Sequence, residues 1–293
     1  MKFLKLIRIN NWVKNLFIFI PLFFSSELFN TDKFIQTLLV AIGFSFITSF
    51  VYIINDIFDI DFDKNHPNKK NRPITSGIIS IRKSIIIGLF LSITGFTILW
   101  FSSFSAFLLS ILYFVLNFLY SYRLKHIPII DLVIIAIGFV IRILIGSFVG
   151  EIVLFDSIIV MVFLLSLFIA ISKRRDDVFQ FQFEDKINRK VVNKYTLEFI
   201  NILITVTSSV LLVSYLLFIT SDDIVSTYSS NYLLITFVFV LIGVFRYNQI
   251  TFVLNKSGSP LKIFFKDRFL QIILFCWILI FFIIIYLNEF INV

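Results

Sequence analysis

The 293-residue sequence predicts an all-α polytopic membrane protein: nine transmembrane helices in one domain over residues 1–293, with the N-terminus in the cytoplasm and the C-terminus outside. Three observations predict it. The composition is 59% hydrophobic and 15% charged with a mean hydropathy of +0.98, outside the range of soluble domains. Apolar runs recur at about the 20 residues a helix needs to cross a hydrocarbon core of about 30 Å. The basic residues gather in alternate connections between those runs.

In chain order the runs fall at 15–29, 34–54, 85–101, 104–119, 127–148, 155–171, 197–219, 232–247 and 270–286. The first is interrupted by Pro21 and closed by Glu27, yet Trp12 and Lys14 stand where an interfacial anchor would. No small-residue cleavage site follows it, so it reads as a membrane segment and not as a cleaved signal peptide. With the N-terminus inside, 24 of the 26 Lys and Arg residues fall on the cytoplasmic side, the others being Lys33 in an outer loop and Arg142 within the fifth run. The formal charge of +8 is thereby accounted for without nucleic acid. One cysteine, Cys276, excludes an internal disulfide, and two histidines, His66 and His126, exclude a His-rich metal site.

The chemistry concentrates in two cytoplasmic loops, 55–84 and 172–196. The first opens with NDIFDIDFDKNHPNKKNRPITSG from Asn55 to Gly77. If the second helix continues into it, Asn55, Asp59 and Asp63 stand at i, i+4 and i+8, with Asp56 beside them, while Asp61 points away into solvent. Like charges so spaced weaken a helix unless compensated, and hard oxygen ligands suit Mg²⁺, which binds a few carboxylates together with substrate phosphates. A calcium loop is excluded, because Lys64 stands where its glycine belongs and Lys70 where its glutamate belongs. The basic run that follows, Lys64, His66, Lys69, Lys70 and Arg72, supplies cations for phosphate oxygens, so the stretch reads as a site for a metal-bridged diphosphate.

This stretch resembles the diphosphate-binding motif of the UbiA superfamily of intramembrane prenyltransferases, and most closely its polyprenyl-phosphate phosphoribosyltransferase branch, whose pattern looks like NDxxDxxxDxxHPxKxxRPIxxG. Further similarities are NWVKN at 11–15, YSYRLKHIPIIDL at 120–132, GFVIRILIG at 138–146, KRRDD at 173–177 and KDRFLQ at 266–271. The resemblance implies a UbiA-like bundle of nine helices in a bacterial cytoplasmic membrane, Mg²⁺ as cofactor held by Asp56, Asp59 and Asp63, and phosphoribosyl diphosphate and a polyprenyl phosphate as substrates. Aromatic prenyltransferases of the superfamily carry a second acidic motif, DxxxD; here the matching place begins Lys173, Arg174, Arg175 before Asp176 and Asp177. Cations there favour a bare phosphate over another metal ion. Asp177 stands where the branch has glutamate, and plain positive-inside anchoring accounts for Arg175 more readily than for Lys173 or Arg174.

The implied mechanism sets Asn55 on a diphosphate or ribose oxygen and Lys69, Lys70 and Arg72 on the leaving diphosphate. The second-site cations, with Lys14 or Lys125 as further candidates, bind the lipid phosphate or the sugar 5-phosphate, and His66 is in reach of a phosphate. Arg142 is a functional candidate because an intramembrane charge is costly unless paired or facing water. Asp131 lies about 16 Å away along the same helix and cannot pair with it. Two other readings remain open: a prenyltransferase moving a prenyl group from a prenyl diphosphate to an aromatic acceptor, disfavoured by the basic second motif, and a transporter of anionic solutes, disfavoured because the charges cluster at one face and not at the midplane.

Overall fold

The fold is that of a computed structural model, which describes residues 2–64, 69–183, 191–228, 232–255 and 260–287. Among the described residues there are helices and turns and no strand. Eight of the described helices are long and apolar enough to cross a membrane. They are α1 (Thr31–Phe58), α2 (Ile81–Ser102), α3 (Phe104–Tyr122), α4 (Ile130–Gly150), α5 (Asp156–Phe183), α6 (Leu197–Ile219), α7 (Leu233–Phe252) and α8 (Arg268–Phe282). Five begin at residues whose side-chain oxygen accepts from the backbone N–H three positions on: Asn30, Ser80, Ser103, Thr196 and Asp267. Those caps satisfy donors that have no partner within the helix.

The expected first crossing at 15–29 takes another form. Residues Ile9–Phe19 wind as a 3₁₀-helix and Ile20–Phe24 as one α-helical turn with Pro21 in its first positions, and the chain then turns at Ser26, φ 63°. Proline is accommodated at a helix start but not inside one, so the run divides there. The second predicted loop, 172–196, is also shorter than expected. Helix α5 continues through Lys173 to Phe183, because Lys, Arg and Gln are good helix formers and the end of an apolar run does not end a helix.

The chain divides into two compact units, residues 1–154 and 155–293. In the first, Phe44, Ile47 and Val51 of α1 share a buried core with Leu99, Tyr113, Ile141 and Ile145. Helix α4 lies so close to the 3₁₀ segment that a Cβ at Gly146 would strike the Ile18 carbonyl. A second patch, Leu6, Phe50, Ile53 and Ile74, packs the loop after α1 onto the end of that helix. In the second unit the Trp277 indole N–H donates to the Tyr215 hydroxyl at 2.8 Å, which donates to Thr236 Oγ1 at 2.7 Å. This chain of bonds ties α6, α7 and α8 together where no water is available to satisfy them.

Candidate active site

Helix α1 breaks at Asp59, φ −97° and ψ 2°, and resumes at Ile60–Lys64. The backbone bonds Asp59 N to Asn55 O (3.0 Å) and Asp63 N to Asp59 O (2.8 Å) bridge the break and keep the three side chains on one side. Asp56, Asp59 and Asp63 are 3, 6 and 0% exposed. The Asp61 side chain is 96% exposed and pairs with Lys64 at 3.0 Å. Buried carboxylates require compensating charge, and each of these has it. Arg72 Nη1 contacts Asp56 Oδ1 at 2.9 Å and also Asp63 Oδ2, and Arg8 adds a second ion pair to Asp56. Lys125 Nζ meets Asp59 Oδ1 at 2.6 Å, and the Asn55 amide donates to Asp59 Oδ2 at 3.1 Å.

Local backbone places these cations. Arg8 is left-handed at φ 52°, immediately before the 3₁₀ segment. Arg72 opens a turn that closes at Gly77, φ 72°, a conformation glycine adopts without strain, before Ser80 caps α2. Lys125 is buried on the turn Leu124–His126. Just after it, Ile129 sits at φ 68° and ψ −50°, with Ile130 N bonded to Pro128 O at 2.8 Å. A β-branched residue rarely takes that γ-turn conformation, and such strain concentrates beside functional groups.

The oxygen donors suit Mg²⁺, and Asp63 Oδ1 is buried without a hydrogen-bond partner among the described residues. The expected set of three carboxylates is nevertheless divided. Asp56 and Asp63 share Arg72, Asp59 faces Lys125, and among the described residues no three His, Cys, Asp or Glu side chains converge on one ion position. The residues fit Mg²⁺ as a two-carboxylate site completed by substrate oxygens, the commonest Mg²⁺ arrangement.

In the second unit the basic cluster lies on α5, not in a loop. Lys173 is exposed, whereas Arg174 and Arg175 are buried, being turned about 100° and 200° round the helix from it. Arg174 Nη1 pairs with Asp177 Oδ2 at 2.9 Å. Arg175 Nε donates to Asn201 Oδ1 at 2.9 Å, its guanidinium lies 5.4 Å from the Phe252 ring centre, and its Nη1 is buried without a partner among the described residues.

A family model described as the UbiA prenyltransferase family matches residues 16–279. The chain belongs to that family. It is similar to the decaprenyl-phosphate phosphoribosyltransferase of Mycolicibacterium smegmatis, 26% identical over 285 residues that cover 94% of this chain and 89% of that protein. The protein of the same description from Corynebacterium glutamicum is 25% identical over 94% of this chain and 84% of its own length. In fold the chain matches a UbiA homologue from Archaeoglobus fulgidus bound to GPP and Mg²⁺, with TM-score 0.71 and 20% identity over 97% of this chain and 99% of that one. This UbiA-family chain is a multi-pass membrane transferase.

The remaining predicted residues of this UbiA-family chain are dispersed. Lys69 lies over the Phe62 ring at 5.3 Å, Lys70 is exposed, and His66 falls outside the described residues. Arg142 is buried, with no carboxylate among its hydrogen-bond partners: it donates to Asn15 Oδ1 (2.8 Å), Gly138 O (2.5 Å) and the Tyr113 hydroxyl (3.1 Å), among the rings of Phe44, Tyr113 and Phe139. Lys14 carries like charge within electrostatic reach of both Arg142 and Arg8. Sequence reasoning missed Arg8 as a site residue. The signal was faint, since one arginine at a cytoplasmic membrane edge looks like a topological anchor.

Proposed function

We propose that this transferase moves a 5-phosphoribosyl group from phosphoribosyl diphosphate to a polyprenyl phosphate at the cytoplasmic face of a bacterial membrane. The observation that carries the reading is the pair of buried guanidinium groups on α5, Arg174 and Arg175, at the place where a clamp for a second metal ion would need carboxylates. Guanidinium groups bind phosphate oxygens directly. The names of the two bacterial relatives, which align over nearly the whole chain, support the same substrates.

Asp56 and Asp63 would hold Mg²⁺, with Asp59 as the third carboxylate; when bound, the ion neutralises charge on a diphosphate leaving group. Arg8, Arg72 and Lys125, now paired with those carboxylates, exchange that pairing for oxygens of the donor diphosphate, with Lys69 and Lys70 adding charge. Asn55 orients Asp59. An oxygen of the lipid phosphate attacks C1 of the ribose, the C1–oxygen bond to diphosphate breaks, and diphosphate leaves with the electron pair. The nucleophile is ionised at neutral pH, so no general base is needed. Lys14 and Arg142 attract the lipid phosphate, and Asp177 fixes Arg174 for the sugar 5-phosphate. His66 supplements the phosphate contacts.

The charge distribution supports an N-in, C-out orientation with nine crossings. At about 2.0 Å per 3₁₀ residue and about 1.5 Å per α residue, Ile9–Phe24 reaches about 30 Å, enough to cross the hydrocarbon core. The test is transfer of radiolabel. Purified protein with Mg²⁺ and labelled phosphoribosyl diphosphate should label undecaprenyl phosphate, and should form no product from a prenyl diphosphate and an aromatic acid. Product only from the second pair would establish the aromatic prenyltransferase instead.

A further inference from the structure

The last turns of α7 are polar for a membrane helix, and that polarity is unspent. Tyr247 OH, Asn248 Oδ1 and Thr251 Oγ1 are buried without a hydrogen-bond partner among the described residues, as is Arg175 Nη1 on α5. The two helices meet here: the Phe168 and Tyr247 rings are 5.3 Å apart, and the Arg175 guanidinium lies 5.4 Å from the Phe252 ring centre. Tyr247 and Thr251 stand one turn apart on α7, and Asn248 lies three residues before Thr251 on the adjoining face. Buried polar groups are nearly always paired, and leaving one unpaired costs more than a made bond returns. Four such atoms on two touching helices therefore mark a place where a ligand supplies the partners.

The chemistry of the four narrows the ligand. Two hydroxyls both donate and accept, an amide oxygen accepts, and a guanidinium nitrogen donates with positive charge. Asn201 and the Phe252 ring fix the guanidinium plane. We propose that α5 around Arg175 and the last turns of α7 form a subsite for a hydroxylated, phosphate-bearing sugar, Tyr247, Asn248 and Thr251 bonding its hydroxyls and Arg175 its phosphate. A prenyl chain offers nothing to such a set. The proposal rests on the phosphoribosyl donor named above and locates the residues that select it.

Tyr247→Phe and Thr251→Val remove one hydroxyl each at nearly constant shape. In the purified full-length protein each is expected to raise the KM for phosphoribosyl diphosphate about tenfold, the loss of one hydrogen bond, and to leave the KM for polyprenyl phosphate unchanged. The ligand-free melting temperature should stay level or rise, because an unpaired buried hydroxyl has been removed. Stabilisation by ribose 5-phosphate should shrink, while stabilisation by Mg²⁺ with inorganic diphosphate stays. A donor KM within twofold of wild type in both variants would overturn the subsite and leave the proposed reaction standing. Lower melting temperatures with both KM values raised would make these groups structural and equally overturn it. Wild-type protein that transfers only a prenyl group would overturn subsite and reaction together.

Discussion

In the first unit three buried carboxylates are each met by cations, Arg8 and Arg72 on Asp56 and Asp63 and Lys125 on Asp59. In the second unit the buried Arg174 pairs with Asp177 and the buried Arg175 bonds Asn201, while Arg175 Nη1 has no partner among the described residues. The first arrangement is electrically closed: in the proposed reaction a diphosphate would enter it by exchanging partners, the cations turning to phosphate oxygens, while Asp56 and Asp63 would hold Mg²⁺. The second leaves the Arg175 Nη1 donor open, among the described residues, to an acceptor that a ligand would bring. Neutralising the first costs little beyond rearrangement, which suits a leaving group that must be bound and released. Filling the second gains hydrogen bonds outright, which suits recognition.

The sharpest way to break this contrast is at the bridge. Arg72→Ala leaves Asp56 and Asp63 without their shared partner and is expected to lower stability by about 3 kcal/mol, the low end for breaking a buried pair because Arg72 is partly exposed. Part should be recovered on adding Mg²⁺, read as a melting shift; a variant indifferent to Mg²⁺ would deny these carboxylates a metal. Asp56→Asn and Asp63→Asn should each lower kcat about a hundredfold, with Asp61→Asn within twofold of wild type; equal losses at Asp61 would dissolve the distinction between buried and solvated faces. Arg175→Ala should raise donor KM about tenfold to a hundredfold, with Arg175→Lys recovering part and Lys173→Ala nearly silent, as assayed by initial rates against phosphoribosyl diphosphate. The smallest effect is at a partly exposed pair, Arg246 with Asp267 at 2.7 Å. The bond from Arg246 holds Asp267 below its ordinary value near 3.8, so its stabilisation is present above that pH and lost as pH falls below it. Asp267→Asn keeps the helix cap and should cost about a degree in Tm at neutral pH, a difference that vanishes in acid melts.

Eight helices were legible because lipid allows little else: an apolar run of sufficient length must satisfy its own backbone. The spacing of Asn55, Asp59 and Asp63 was legible because four-residue steps survive even the break at Asp59. What compensates them was not, since Arg8 and Lys125 lie 48 and 66 residues from their partners. Lys173, Arg174 and Arg175 looked interchangeable in sequence; successive positions on a helix differ by about 100°, so burial separates them only once the packed face is known. Tyr247, Asn248 and Thr251 left a readable trace, a polar patch at the end of an apolar run, that positional charge rules pass over because none of the three is charged. The 3₁₀ form of Ile9–Phe19 has a visible cause at Pro21 but none in the residues before it.

Whether the acidic cluster takes diphosphate with Mg²⁺ and the basic cluster the sugar phosphate is read from a crossed binding measurement. Calorimetric titration of Asp63→Asn and Arg175→Ala with inorganic diphosphate plus Mg²⁺, and separately with ribose 5-phosphate, gives four values to set against wild type. The account predicts that Asp63→Asn loses diphosphate binding at least about tenfold and keeps ribose 5-phosphate, while Arg175→Ala does the reverse. Equal loss of both ligands in both variants, or the opposite crossing, would contradict it.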